Sequence, residues 1–202
     1  MKILFETFFK LIIGFIIASI GVVMTINSNL GLSPWDVLHQ GLSKITPLSI
    51  GDACIVVGLA VVLFSMFLGV NLGIGTILNT ILMGVFIDWI SYLNIIPLCS
   101  TFFTGIIMMI LGMFLLGIGT YLYMSCGLGC GPRDGLMVAL TKITKKPVKM
   151  IRAVIELSAM TAGYFLGGFV GIGTIITALG VGYCIQIIFT IFNFNANSIH
   201  HK

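Results

Sequence analysis

Two of the six acidic residues in this 202-residue chain stand in one repeated motif, and they are its clearest candidates for chemistry. Gly31-Leu32-Ser33-Pro34-Trp35-Asp36-Val37-Leu38 is echoed by Gly129-Cys130-Gly131-Pro132-Arg133-Asp134-Gly135-Leu136, with Asp134 lying 98 residues after Asp36. A carboxylate inside a membrane is costly to place there, and such residues commonly hold a substrate or a proton. The same spacing has a second reading. Ser33 suits a helix N-cap, Pro34 the first helical position and Asp36 the third, where a carboxylate can close a capping box and complement the helix dipole. Gly131, Pro132 and Asp134 repeat the scheme with a weaker cap. Gly31 and Gly129 fit both readings, since glycine permits a tight turn or a close backbone approach. The motif therefore describes either two half-helix N-termini facing one another around a small solute or coupling proton, or two capped helices.

Other polar groups are weaker candidates. Asp88 lies beside Trp89 and Tyr92 near the end of an apolar run, as an interfacial carboxylate would, and Glu156 stands one helical turn beyond Arg152 and can pair with it. Thr76 and Thr174 close two Gly-Ile-Gly-Thr runs, at 73–76 and 171–174, which lack the rest of a phosphate loop and read as close helix packing by small residues. His39 has Met137 as its counterpart, so a symmetric histidine site is not expected. The five cysteines form no disulfide framework, and Cys126 with Cys130 makes an incomplete metal site. No catalytic constellation, metal set or cofactor motif is present, so an enzyme is not expected.

These residues must be positioned by membrane helices. Hydrophobic residues make up 58% of the chain and charged residues 8%, and the mean hydropathy is +1.18. A bilayer-spanning helix needs about 20 apolar residues, because lipid offers its backbone no hydrogen-bond partner. Each half supplies three such runs: roughly Leu11 to Leu30, Ala53 to Leu72 and Gly73 to Leu93, then Thr101 to Met124, Ile151 to Val170 and Gly171 to Phe192. The first run follows lysines, but without a small-residue cleavage site it reads as an uncleaved span. Between the first two runs of each half lies a short helix, with a stripe of Trp35, Leu38, Leu42 and Ile45 in one and Leu136, Leu140 and Ile143 in the other. Each is either interfacial or re-entrant.

The 98-residue offset also aligns, without gaps, Lys44-Ile45-Thr46 with Lys142-Ile143-Thr144 and Gly14, Gly21 and Gly84 with Gly112, Gly119 and Gly182. The expected fold is thus an all-α membrane protein of six spans in two repeats, 1–98 and 99–202, forming one membrane domain. Three spans per repeat insert the second half upside down. Charge agrees, since Arg133, Lys142, Lys145, Lys146, Lys149 and Arg152 follow the fourth span whereas the equivalent segment carries Lys44 alone, flanked by Asp36 and Asp52. The basic residues should stay inside, leaving both termini cytoplasmic. They are a topology signal rather than a nucleic-acid surface, and Lys142, Lys145, Lys146, Lys149 and Arg152 could contact membrane lipid or a partner protein.

On the Gly-Leu-Ser-Pro-Trp-Asp motif and its echo, the 73–76 run, Leu78-Asn79 and Phe86-Ile87-Asp88-Trp89, the chain resembles the YczE/YyaS/YitT group of bacterial membrane proteins, and within it the YczE-like branch. The resemblance implies a multi-pass protein of the bacterial cytoplasmic (inner) membrane and adds location rather than mechanism. The functional expectation is a small transporter or channel-like protein. The alternative is a membrane-embedded regulator or scaffold acting through its basic loop. Neither reading specifies an oligomeric state.

Overall fold

The structure is a computed structural model and describes residues 2–70 and 73–194. The chain runs α1 (Lys2–Asn27), α2 (Pro34–Ile45), α3 (Ile50–Phe67), α4 (Ile74–Leu93), α5 (Phe102–Met124), α6 (Pro132–Thr144), α7 (Val148–Phe165) and α8 (Ile172–Ile191), with no strand among the described residues. Five of these helices, α1, α3, α4, α5 and α8, are long and apolar enough to cross a membrane. The exposed Leu63, Phe67, Leu179 and Tyr183 suit a lipid-facing surface.

Several expected boundaries shift. The second run begins at Ile50 rather than Ala53, because Ser49 and Asp52 form a capping box that starts α3 earlier. Its expected end at Leu72 lies outside the described residues, as do Met1 and residues 195–202. The fifth run, expected from Ile151 to Val170, is α7 from Val148 to Phe165. Gly167, with φ +89°, turns the chain after it. This helix is not among the five apolar spans, since Lys149, Arg152 and Glu156 lie along it.

α1 and α5 form the central crossing, and small residues let their backbones approach. A Cβ on Gly21 would lie 2.5 Å from the Gly112 carbonyl oxygen, and one on Gly119 would lie 2.6 Å from that of Gly14. These four positions are counterparts at the 98-residue offset, so the crossing is reciprocal. α4 packs on α1, and α8 packs on α5. Phe15, Leu11 and Tyr123 form one buried cluster in this body, and Met109, Met113 and Cys184 form another.

The two short helices are each held by the opposite half. α2 seats against α7: Lys44 Nζ donates to the Gly167 carbonyl at 2.7 Å, and Gln40 Oε1 accepts the Phe169 N–H at 2.8 Å. α6 packs on α3 and α7. The turns before them are also reciprocal. The Gly173 N–H donates to the Leu30 carbonyl at 2.7 Å, and the Gly75 N–H donates to the Leu128 carbonyl at 2.9 Å. Gly31 (φ +120°) and Gly129 (φ +139°) hold backbone conformations that L side chains rarely adopt. A Cβ at either would strike the threonine ending the other half's Gly-Ile-Gly-Thr run, 2.8 Å from Thr174 Oγ1 or 2.7 Å from Thr76 Oγ1.

Candidate functional site

α2 has 12 residues, about 18 Å at ~1.5 Å per residue, which is too short for a hydrocarbon layer of ~30 Å. Its first turn is therefore the part that matters. Ser33 caps it, its hydroxyl oxygen accepting the Asp36 N–H at 3.4 Å. The expected capping box is not completed, because the Asp36 carboxylate does not turn back to the Ser33 backbone. It accepts the Ser33 hydroxyl instead and lies 3.4 Å from His39 Nδ1, on the next turn of the same face. In α6, Gly131 supplies no side-chain cap, as its residue type implies.

Of the expected apolar stripe of α2, Trp35 is buried, Leu38 and Leu42 are half-buried and Ile45 is 59% exposed, while the polar Asp36 and His39 are buried as well. A polar face of a short helix beside lipid can be buried in this way where it lines a cavity.

That polar face opens onto a cavity of about 220 Å³ between the halves. It is large enough to hold several water molecules. Ser33, Pro34 and Asp36 line it from α2, and Pro132, Arg133 and Asp134 from α6. Trp35 and Arg133, counterparts at the 98-residue offset, meet there, with the guanidinium carbon 4.9 Å from the centre of a Trp35 ring. The two motif turns thus touch.

Burial works to raise the Asp36 carboxyl, but His39, Arg133 and the Ser33 hydroxyl outweigh it and hold the group below its ordinary value. Burial likewise lowers His39, against the pull of Asp36. At neutral pH the pair is a carboxylate beside an uncharged imidazole. His39 Nδ1 is buried and has no hydrogen-bond partner of good geometry, since its approach to Asp36 is close but poorly aligned. A buried polar atom in that position, on a cavity wall, suits a ligand or water.

The remaining candidates divide. Glu156 lines the cavity, and its carboxylate accepts Arg152 Nε at 2.9 Å. Arg152 lines it too while staying 47% exposed, and Lys142, Lys145, Lys146 and Lys149 are exposed in the same segment. Gly31, Gly129, Thr76 and Thr174 lie behind the motif turns rather than in the cavity wall. Asp88 is no free interfacial group: it accepts the Gly51 N–H at 2.8 Å and the Ser49 hydroxyl, joining α4 to the start of α3. Burial pushes the Cys130 thiol up to about 11, the wrong direction for a thiolate metal ligand. Among the described residues no three His, Cys, Asp or Glu side chains gather as a metal site.

Asn79, Thr80, Thr120 and Tyr123 also line the cavity, together with His39, set aside on the sequence for want of a counterpart, and Arg133, read there as a topology signal. His39 had a usable signal, lying three residues after Asp36 on one helical face. Asn79 and Thr80, side by side in an apolar helix, carried a weaker one.

A model of the Family of unknown function (DUF6198) matches residues 5–190. The chain is 41% identical over 175 residues to the "Uncharacterized membrane protein YczE" of Bacillus subtilis (strain 168), covering 86% of this chain and 80% of that protein. It is 35% identical over 187 residues to an "Uncharacterized protein" of Haemophilus influenzae, covering 93% and 85%. With the "Uncharacterized protein YyaS" of Bacillus subtilis it shares 27% identity over 180 residues, covering 87% and 88%. No solved structure matches. The resemblance carried by the motifs holds, and the chain is a multi-pass helical membrane protein.

Proposed function

The chain belongs to the Family of unknown function (DUF6198), and from that premise we propose that it is a small transporter or channel-like protein of the bacterial cytoplasmic membrane, whose solute or coupling proton is held between two inverted repeats. The observation that carries this reading is the cavity where the first turns of α2 and α6 meet, with Asp36, His39 and Asp134 in its wall. In inverted-repeat transporters, short helices bring their N-termini to a central site in this way. The reciprocal contacts of Gly31 with Thr174 and of Gly129 with Thr76 support the inversion, as each half braces the other's motif turn. In this reading α7 is the sixth span. Its charged residues are tolerated because Arg152 and Glu156 face the cavity rather than lipid. Both termini and the basic segment are then cytoplasmic.

Proteoliposomes test it. An entrapped pH-sensitive dye reads proton flux, and light scattering reads the influx of small charged and neutral osmolytes. Flux of at least one is expected, reduced by Asp36→Asn and by Asp134→Asn in protein that remains folded. Equal flux in both variants and the parent would remove the two carboxylates from the mechanism.

A second reading is favoured by one surface. Lys142, Lys145, Lys146 and Lys149 are exposed beside exposed Ile143, Val148 and Met150, a combination suited to anionic lipid headgroups at an interface. A scaffold or regulator acting there would lose its phenotype when Lys145, Lys146 and Lys149 are neutralised together, with membrane insertion unchanged.

A further inference from the structure

We propose that the cavity is entered between α7 and α8, on the side of the basic segment, and that Asp88 holds the equivalent crevice between α3 and α4 shut. This rests on the solute-cavity reading and adds the route and its sidedness.

The two crevices occupy matching positions in the two halves and differ in residue type. Between α3 and α4, Gly51 lies directly against the Gly84 backbone, and the Asp88 carboxylate accepts both the Gly51 N–H and the Ser49 hydroxyl. Those two helices pack along their length. At the 98-residue offset Ser49 becomes Pro147, Gly51 becomes Lys149 and Asp88 becomes Gln186. Proline has no hydroxyl to donate, lysine cannot approach a backbone as glycine does, and an amide is a weaker acceptor than a carboxylate. α7 and α8 accordingly lack the packing that joins α3 to α4.

The space left is where Arg152 and Glu156 stand. Glu156 is 23% exposed and Arg152 is 47% exposed, although both line the cavity. The Arg152 guanidinium lies 4.0 Å from the position a Gly182 Cβ would take, the nearest approach to it among the described residues outside the helix's own backbone and chain neighbours. Gly182 and Ile185 also line an open depression along α8, whose wall mixes Gln186, Thr190 and Asn193 with Phe189 and Phe194. Ile185 is common to the depression and the cavity. The ion pair therefore lies between a depression that is polar only in part and the cavity, where its charges can admit one small polar species and exclude lipid tails.

Sided labelling tests this. In protein with its five cysteines replaced, Ala178→Cys places one thiol in the cavity wall. A small membrane-impermeant cationic methanethiosulfonate should modify it from the face bearing Lys145 and Lys146 and not from the other face. Gly182→Trp, filling the space beside Arg152, should abolish that modification. Asp88→Ala should open access from the opposite face; if that variant does not fold, Ser49→Ala removes one of the same two bonds and should do so in part. Modification from the opposite face with Asp88 intact, modification unaffected by Gly182→Trp, or none from either face would overturn the route. Because labelling needs no transport, the expected pattern without solute flux would leave the entrance standing and reject the transport reading. Flux that survives Gly182→Trp would reject the entrance alone.

Discussion

Asp36 has more partners than a helix cap requires: the Ser33 hydroxyl, its own backbone link to Ser33, and the neighbouring His39 ring and Arg133 guanidinium. Ser33→Ala removes the cap and the hydroxyl's bond to the Asp36 carboxylate together, and should cost about 2–3 kcal/mol of stability, measured by thermal unfolding in detergent. The pairing share shows in pH. Both Asp36 and His39 are lowered in the folded protein, so the unfolded chain binds more protons as the medium acidifies. His39 should therefore contribute its full stability above its ordinary value of 6.5 and lose it progressively as pH falls below that, with Asp36 adding a further loss below its ordinary 3.8. His39→Gln should flatten the unfolding midpoint between neutral pH and about pH 5. An unchanged slope would mean that the imidazole is not held uncharged. At this scale the sequence made Asp36 and Asp134 legible by repetition, whereas His39 was discounted because Met137 is its counterpart, and a search for symmetry passes over a group that only one half carries.

Two kinds of glycine distinguish the helices and turns. Gly31 and Gly129 combine positive φ with close contact to the opposite half, so alanine at either should cost about 1–3 kcal/mol for the backbone alone and more for the clash. Gly182 sits within α8 with the Arg152 guanidinium, at 4.0 Å, its nearest neighbour outside the helix's own backbone and chain neighbours among the described residues, and alanine there should be neutral or gain up to about 1 kcal/mol from helix propensity. Comparing the three unfolding midpoints checks both expectations, and equal losses would contradict the reciprocal bracing. The short helices were legible from their capping residues and spacing, but the burial of Asp36 and His39 beside the apolar Trp35 of α2 was not, since it depends on the cavity they line. α7 was legible in part: its length fits a span, while its charges make sense only once a cavity exists for Arg152 and Glu156 to line.

For the molecule as a whole, the account turns on the two halves inserting antiparallel, which makes the motif turns meet and leaves equivalent segments on opposite sides. The internal repeat and the excess of lysine after α6 were readable from residues alone. The difference between the α3–α4 and α7–α8 crevices was not, since it depends on three substitutions, at Pro147, Lys149 and Gln186, whose meaning appears only when Asp88 is seen bridging two helices. Pro47 and Lys145 are counterparts, both exposed in the turns that follow α2 and α6. Single cysteines placed at each in a cysteine-free background and treated with an impermeant maleimide on intact cells measure the arrangement directly. The account predicts that the cysteine replacing Pro47 reacts from outside and the one replacing Lys145 only after the membrane is opened; reaction of both from the same side would contradict it.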